Sequence, residues 1–253
     1  MSQVRNSWLR PLTARSVIAS TLLGLPQPRL PAAALVASGE KFGVAPGTTR
    51  VALSRMVDTG ELVGAADGAY ELAGPLLARH ARQEQGRHPQ TRTWTGDWRI
   101  GVVTGGARSA AERASLRRTM ATQRFAELRE GVWMRPDNLD VALDPTCIWV
   151  VGTTDEQPQV ETLFGLDDWA ATAHRLLDAL SDTVGSLRKR DADALGETFV
   201  IAAATTRHLT VDPLLPPELL PRAWPGDELR KAYDQYQDHF SATGRHWYRS
   251  TLD

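Results

Sequence analysis

Between Leu12 and Ala73 the apolar positions recur in three short bursts at helical spacing and then alternate at strand spacing. Val17, Ile18 and Leu22, with Ala14, follow Thr13, a residue that can cap a helix, and the run stops at Gly24. Ala34, Leu35 and Phe42 follow Pro31, which suits a first helical turn, and Gly43 closes that segment. Leu25 to Pro31 between them reads as a stiff connector, because its prolines separate the two helices. The third run carries Val51, Leu53, Met56 and Val57 as its packing side and ends at Gly60. Glu61-Leu-Val63 and Ala69-Tyr-Glu-Leu72 then flank Ala66-Asp-Gly68 as the arms of a hairpin. Three helices followed by a hairpin is the order of a winged helix-turn-helix.

Beyond Pro75 the pattern changes. A helix leads out from Pro75, and the polar, punctuated stretch from Gly86 to Thr93 marks a boundary. Trp98 to Val103, Gly131 to Met134 and Cys147 to Val151 read as strands. Between the first two, Ser109 to Thr122 reads as a charged helix with Ala110, Ala114, Leu116 and Met120 inside. Strand, helix, strand, strand predicts a small α+β unit with one helical face, a ferredoxin-like arrangement. The remainder is mostly helical. Leu163 to Asp182 carries Leu166, Trp169, Ala173, Leu176, Leu177 and Leu180 on one side, Thr198 to Ala204 fits a buried helix, and Asp227 to Ser241 a last one. Arg207 to Gly226 is too rich in proline for one helix and too apolar for a free linker.

The third helix carries the chemistry. With its packing side set aside, Thr48, Thr49, Arg50, Ser54 and Arg55 remain for a DNA major groove. Arg50 suits a guanine edge, the hydroxyls suit bases or phosphates, and Arg55 suits a phosphate. Asp67 and Gly68 form the wing tip, which has no cation of its own. Residues 1–90 hold ten Lys or Arg against six Asp or Glu, a net +4 on a chain whose total is −1. A basic end on a mildly acidic body fits phosphate steering by that end. A winged helix used only for protein contacts would show the same periodicity, so an interaction adaptor stays open beside the DNA reader.

Composition narrows the remaining classes. The 253 residues are 42% hydrophobic and 23% charged, an ordinary globular balance with room for two or three domains. The single cysteine, Cys147, excludes a disulfide framework and a cysteine-rich zinc site, and its apolar neighbours favour a buried thiol. No apolar run reaches the ~20 residues of a membrane helix, so the expected compartment is the cytoplasm. There is no phosphate-binding loop, His-Glu-x-x-His pair or nucleophile elbow, and no cofactor is expected. Arg207, His208 and Asp212 gather beside the proline-rich turn, either to bind an anionic effector or to brace that turn. Eight tryptophans exceed the five phenylalanines and four tyrosines, and some can line a pocket for a flat apolar group. Trp133, Arg207, His208 and Trp224 are the candidate effector residues.

Several stretches together resemble the PaaX-type regulators, the phenylacetic acid catabolism repressors. They include Thr13-Ala-Arg-Ser-Val-Ile18, Phe42-Gly-Val-Ala-Pro-Gly-Thr-Thr-Arg-Val-Ala-Leu-Ser-Arg-Met-Val57, Gly60-Glu-Leu-Val63, Tyr70-Glu-Leu-Ala-Gly74 and Trp94-Thr-Gly-Asp-Trp98. Leu116-Arg-Arg118, Phe125 to Leu139, Asp212-Pro-Leu-Leu-Pro216 and Leu219 to Gly226 continue it. The resemblance implies a multidomain α+β chain. Its parts are an N-terminal winged helix-turn-helix (residues 1–88), a central ferredoxin-like domain (92–160) similar to small CRISPR-associated endonucleases, and a mostly helical C-terminal domain (161–253). It implies a homodimeric, non-enzymatic transcriptional regulator, usually a repressor, on a palindromic double-stranded operator. An acyl-CoA effector such as phenylacetyl-CoA would release the DNA. The strand-end acid of the endonucleases has no match here, so their activity is not implied. An activator, or an adaptor with a different effector or none, is the alternative.

Overall fold

The computed structural model describes residues 13–25, 27–106, 108–156, 158–188 and 194–252. Residues 1–12, with Trp8 and Leu9, lie outside the described residues, as do residues 189–193. Two compact units form. The first takes the chain through Glu84, then Leu176–Arg207, then Glu228 onward, and the second takes Gln85–Arg175 and His208–Asp227.

In the first unit, α1 (Ala14–Leu23), α2 (Ala32–Lys41) and α3 (Pro46–Asp58) surround one apolar core, with β1 (Arg29–Pro31), β2 (Leu62–Gly64) and β3 (Ala69–Leu72) beside them. Ile18, Leu22, Leu35, Leu53, Met56 and Leu62 make up the centre of that core. Helix α1 starts where its sequence says. Thr13 Oγ1 accepts the Ser16 N–H and Ser16 Oγ accepts the Thr13 N–H, so two otherwise orphaned donors are satisfied reciprocally. The three strands form an antiparallel sheet in the order β1-β3-β2. Strand β1 corrects the connector reading: Arg29–Pro31 pairs with Glu71–Ala69, and Pro31 caps α2 from outside its first turn. An edge strand tolerates proline because one side of its backbone has no ladder to complete.

Later helices complete this unit. After α4 (Gly74–Arg87) the chain departs for the second unit, which includes α6 (Val160–Phe164), and it returns from Leu176 on in α7 (Leu166–Arg188), through most of α8 (Ala194–Thr210) and α9 (Gly226–Leu252). The Phe42 ring meets Phe199 at 4.8 Å between centroids, and Gln237 Nε2 donates to the Gly24 carbonyl that ends α1. Tyr236 donates its hydroxyl proton to Thr198 Oγ1 at 3.3 Å, and burial pushes its phenol far up.

The second unit is built on β4 (Trp98–Val103), β5 (Ala126–Arg129), β6 (Val132–Pro136) and β7 (Cys147–Gly152), antiparallel throughout in the order β5-β6-β4-β7. Strand β5 is an addition to the three expected. It is an edge strand with a bulge at Glu127/Arg129 and an exposed Leu128, which hides its alternation. One sheet face carries Trp98 and Met134 against Val160, Leu166 and Leu215. The other carries Trp133 and Cys147 against Met120 and Phe125. Gly101 lies between Trp133 and Trp149 in register, and a side chain there would overlap the Trp149 ring. Helix α5 (Ala110–Thr122) crosses this second face, yet of the four apolar positions expected inside only Met120 is buried. Ala110 and Ala114 are exposed and Leu116 is half-buried, so the first half of α5 stands away from the sheet.

The proline-rich segment is pinned by polar groups. Arg135, fully buried, donates to the Pro136 and Gln123 carbonyls and to Asn138 Oδ1, while Asn138 Nδ2 donates to the Leu214 carbonyl. Arg124 Nε donates to the Asp212 carbonyl, and Asp212 Oδ1 accepts the Leu214 N–H. Burial first, then the charge of Arg124, pulls the Arg135 pKa below the usual arginine value. Among the described residues no helix is long and apolar enough to cross a membrane.

Candidate nucleic-acid interface

Helix α3 begins with Ala45 as cap and Pro46 in its first turn, where a missing N–H costs nothing. Its inward side is Thr49, Leu53 and Met56, spaced at i, i+4 and i+7, with Ala52 partly buried beside them. Thr49 is 0% exposed, and its hydroxyl leans on the Ala45 carbonyl at 3.4 Å. It meets Gly39 of α2 so closely that a Cβ there would overlap Thr49 Oγ1. This corrects the sequence reading: Thr49 is a packing residue and cannot reach a groove. The opposite correction applies to Val51 and Val57, which are 52% and 37% exposed.

The outward side of α3 therefore presents Thr48, Arg50, Val51, Ser54 and Arg55, all exposed. At 100° per residue Val51 and Ser54 lie near the middle of that face, and Arg50 and Arg55 flank them. Neither arginine forms an ion pair among the described residues. Other cations of this unit are engaged. Arg15 grips Glu61 in a two-pronged pair, Nε to Oε2 at 2.8 Å and Nη2 to Oε1 at 2.7 Å.

Asp67 and Gly68 sit at the exposed hairpin tip, Gly68 with φ of +77°. The Ala69 N–H donates to Asp67 Oδ1, and Arg29 bridges Asp67 and Glu71. The bond from Arg29 holds the Asp67 carboxyl below the ordinary carboxylate range. Arg29, read from sequence as part of a connector, thus neutralises the tip. On α4, Arg79 has its pKa lowered by burial and then by the charges of Arg207, Arg15 and Arg82. An arginine-rich zone forms there that linear spacing could not reveal.

Of the three effector candidates in the second unit, two lie together and the third lies on the other face of the sheet. His208 and Trp224 both stack on the Trp169 ring, at 4.4 and 4.5 Å between centroids. His208 Nε2 faces the Trp169 carbonyl at 2.9 Å, so that nitrogen carries the proton and donates. Burial lowers its pKa, with the bond to Trp169 and the Asp212 charge acting in the other direction. Trp224 packs with the Trp98 cluster, whereas Trp133 belongs to the opposite sheet face. Arg207 Nε donates to the Ala203 carbonyl and lies in the first unit.

Three family models match the chain: PaaX-like protein over residues 13–76, PaaX protein central Cas2-like domain over 91–147, and PaaX-like protein C-terminal domain over 164–250. Among solved structures, the uncharacterized protein Rv0674 from Mycobacterium tuberculosis is similar at 40% identity and a TM-score of 0.74. The match covers 92% of this chain and 98% of that one. No curated protein matches. The chain belongs to the PaaX family and is a DNA-binding transcriptional regulator.

Proposed function

We propose that the chain is a cytoplasmic, homodimeric repressor that reads an imperfect palindromic operator with one α3 per protomer and releases it on binding an acyl-CoA such as phenylacetyl-CoA. The observation that carries this reading is the outward face of α3. Two arginines without ion pairs among the described residues flank an exposed apolar and hydroxyl centre on a helix whose other side is locked into a core. The order of three helices and a hairpin, with β1 as a third strand, supports a winged helix-turn-helix. In it Arg50 pairs with a guanine edge, Thr48 and Ser54 contact bases or phosphates, and Arg55 holds a phosphate. Val51, at the centre of the face, adds an apolar contact suited to a thymine methyl. The tip at Asp67 and Gly68 contributes at most a backbone contact, since Arg29 is spent on its acids.

The strand order β5-β6-β4-β7 around one crossover helix supports a ferredoxin-like central domain in which residues 137–146 replace the second helix. A division at 1–88, 92–160 and 161–253 is part of the proposal, and the matches over 13–76, 91–147 and 164–250 support it. His208 and Trp224 act as braces within the second unit, as their stacking on Trp169 supports. The test is a gel shift on the DNA upstream of the chain's own gene, titrated with phenylacetyl-CoA and separately with phenylacetate. A specific complex dissolved by the thioester alone is the expected result. A specific complex indifferent to both keeps the regulator and refutes the effector.

A further inference from the structure

Where the first half of α5 stands away from the sheet, it leaves a cavity of about 200 Å³ in the second unit. The floor is apolar: Val103 of β4, Leu116 of α5 and Trp133 of β6. Trp133 is only 5% exposed, and its indole N–H has no acceptor among the described residues. The rim is cationic. Arg108 and Arg113 each spend one N–H on a main-chain carbonyl, of Thr104 and of Arg108, and neither forms an ion pair among the described residues. Arg117 is paired with Glu127 at 3.0 Å, so that wall is neutral, and Glu130 is the remaining acid at the mouth.

An apolar pocket beneath two arginines without ion pairs among the described residues fits a molecule with a flat acyl end and a phosphate-bearing tail. We propose that this cavity is the effector site, an inference that rests on the acyl-CoA reading above. The aryl-acyl end lies over Trp133 and Leu116, and the coenzyme phosphates lie on Arg108 and Arg113. The size decides which part enters. Pockets that enclose a whole drug-sized ligand run to ~300–1,000 Å³, so this one takes the acyl end and leaves the nucleotide on the rim. Planar guanidinium groups with free N–H forks suit phosphate oxygens.

The test is titration calorimetry of the full-length protein with phenylacetyl-CoA and with free coenzyme A. Wild type is compared with a rim variant, Arg108→Ala combined with Arg113→Ala, and a cavity-filling variant, Leu116→Phe. Both rim positions reach solvent, so the rim variant keeps the fold, and operator binding without effector checks this independently. The rim variant should weaken both ligands by about tenfold or more, the usual worth of a charge-assisted contact. Leu116→Phe should weaken the thioester and spare coenzyme A. Wild-type affinity for the thioester in both variants would overturn the location while leaving the acyl-CoA reading intact. Absence of thioester binding to wild type would overturn that reading and this site with it.

Discussion

Replacing Gly39 by alanine tests whether α3 is held where the proposed groove contact requires. The new Cβ would overlap Thr49 Oγ1 and stand 3.4 Å from Thr49 Cβ and Cγ2. Thr49 is fully buried between α2 and α3, so its side chain has nowhere to retreat. Overpacking of this kind costs about 1–3 kcal/mol. Alanine in a helix interior returns about 1 kcal/mol over glycine. The net effect in the wild-type background is then a loss of roughly 0–2 kcal/mol. In a Thr49→Ala background the overlapping oxygen is gone, and the same Gly39→Ala change should stabilise by up to about 1 kcal/mol. The coupling between the two sites is the difference, about 1–3 kcal/mol. Urea unfolding of the four proteins, followed by far-ultraviolet circular dichroism, reads it as a change of sign. Operator affinity adds a second readout, because relief of the overlap by tilting α3 would misplace Arg50 and be repaired in the double variant. An equal effect of Gly39→Ala in both backgrounds would refute the close approach of the two helices.

Arg50→Ala should cost about 1–3 kcal/mol of operator binding and relax preference at one base pair; equal losses across base substitutions would make it a phosphate contact. Arg55→Ala should lower affinity on all sequences alike and reduce the salt slope by about 1, measured by titrating operator binding against potassium chloride. Val51→Ala should lose about 1 kcal/mol on the cognate site; unchanged discrimination between thymine and uracil at every position would remove it from the interface. Arg135→Met should destabilise by about 3–5 kcal/mol, because three oxygens lose their buried donor; a shift under 1 kcal/mol by urea titration would show that the segment from Asp212 is held otherwise. For His208, burial sets the folded pKa below the ordinary 6.5, so the unfolded chain binds the proton more readily. Its contribution is present above pH 6.5 and is lost as pH falls from there toward the folded value, and His208→Gln should flatten that part of a stability profile.

How much of this was legible depends on whether the deciding neighbour is close in sequence. The capping box at Thr13 and the ends of α1 and α3 are local events, and local residues announce them. The inward side of α3 is not. Valine at 51 looks like core and threonine at 49 like surface until Gly39, on another helix, opens a slot that threonine fills. Strand β5 escaped because its one large apolar residue, Leu128, faces out at an edge. The two buried arginines were unreadable for a related reason. A charged residue reads as solvated, and the carbonyl that Arg124 binds lies 88 residues further on. The same distance effect hid Arg29, whose acidic partners lie 38 and 42 residues away.

The threading of the first unit has a consequence for how the protein is born. Gln237 closes onto Gly24 across 213 residues. At a synthesis rate of ~5–20 residues per second, the first helix waits on the order of 10–40 s for that partner. The core around Ile18, Leu35 and Leu53 draws on residues 18–76 and can assemble while the ribosome is still working. The surface around Phe42, which Phe199 will cover, stays bare through that interval. Contacts of such long sequence separation are formed late and slowly. The nascent chain therefore passes through a period in which helix α3 is already shaped but the apolar ground around Phe42 is open to chaperones and to misassembly.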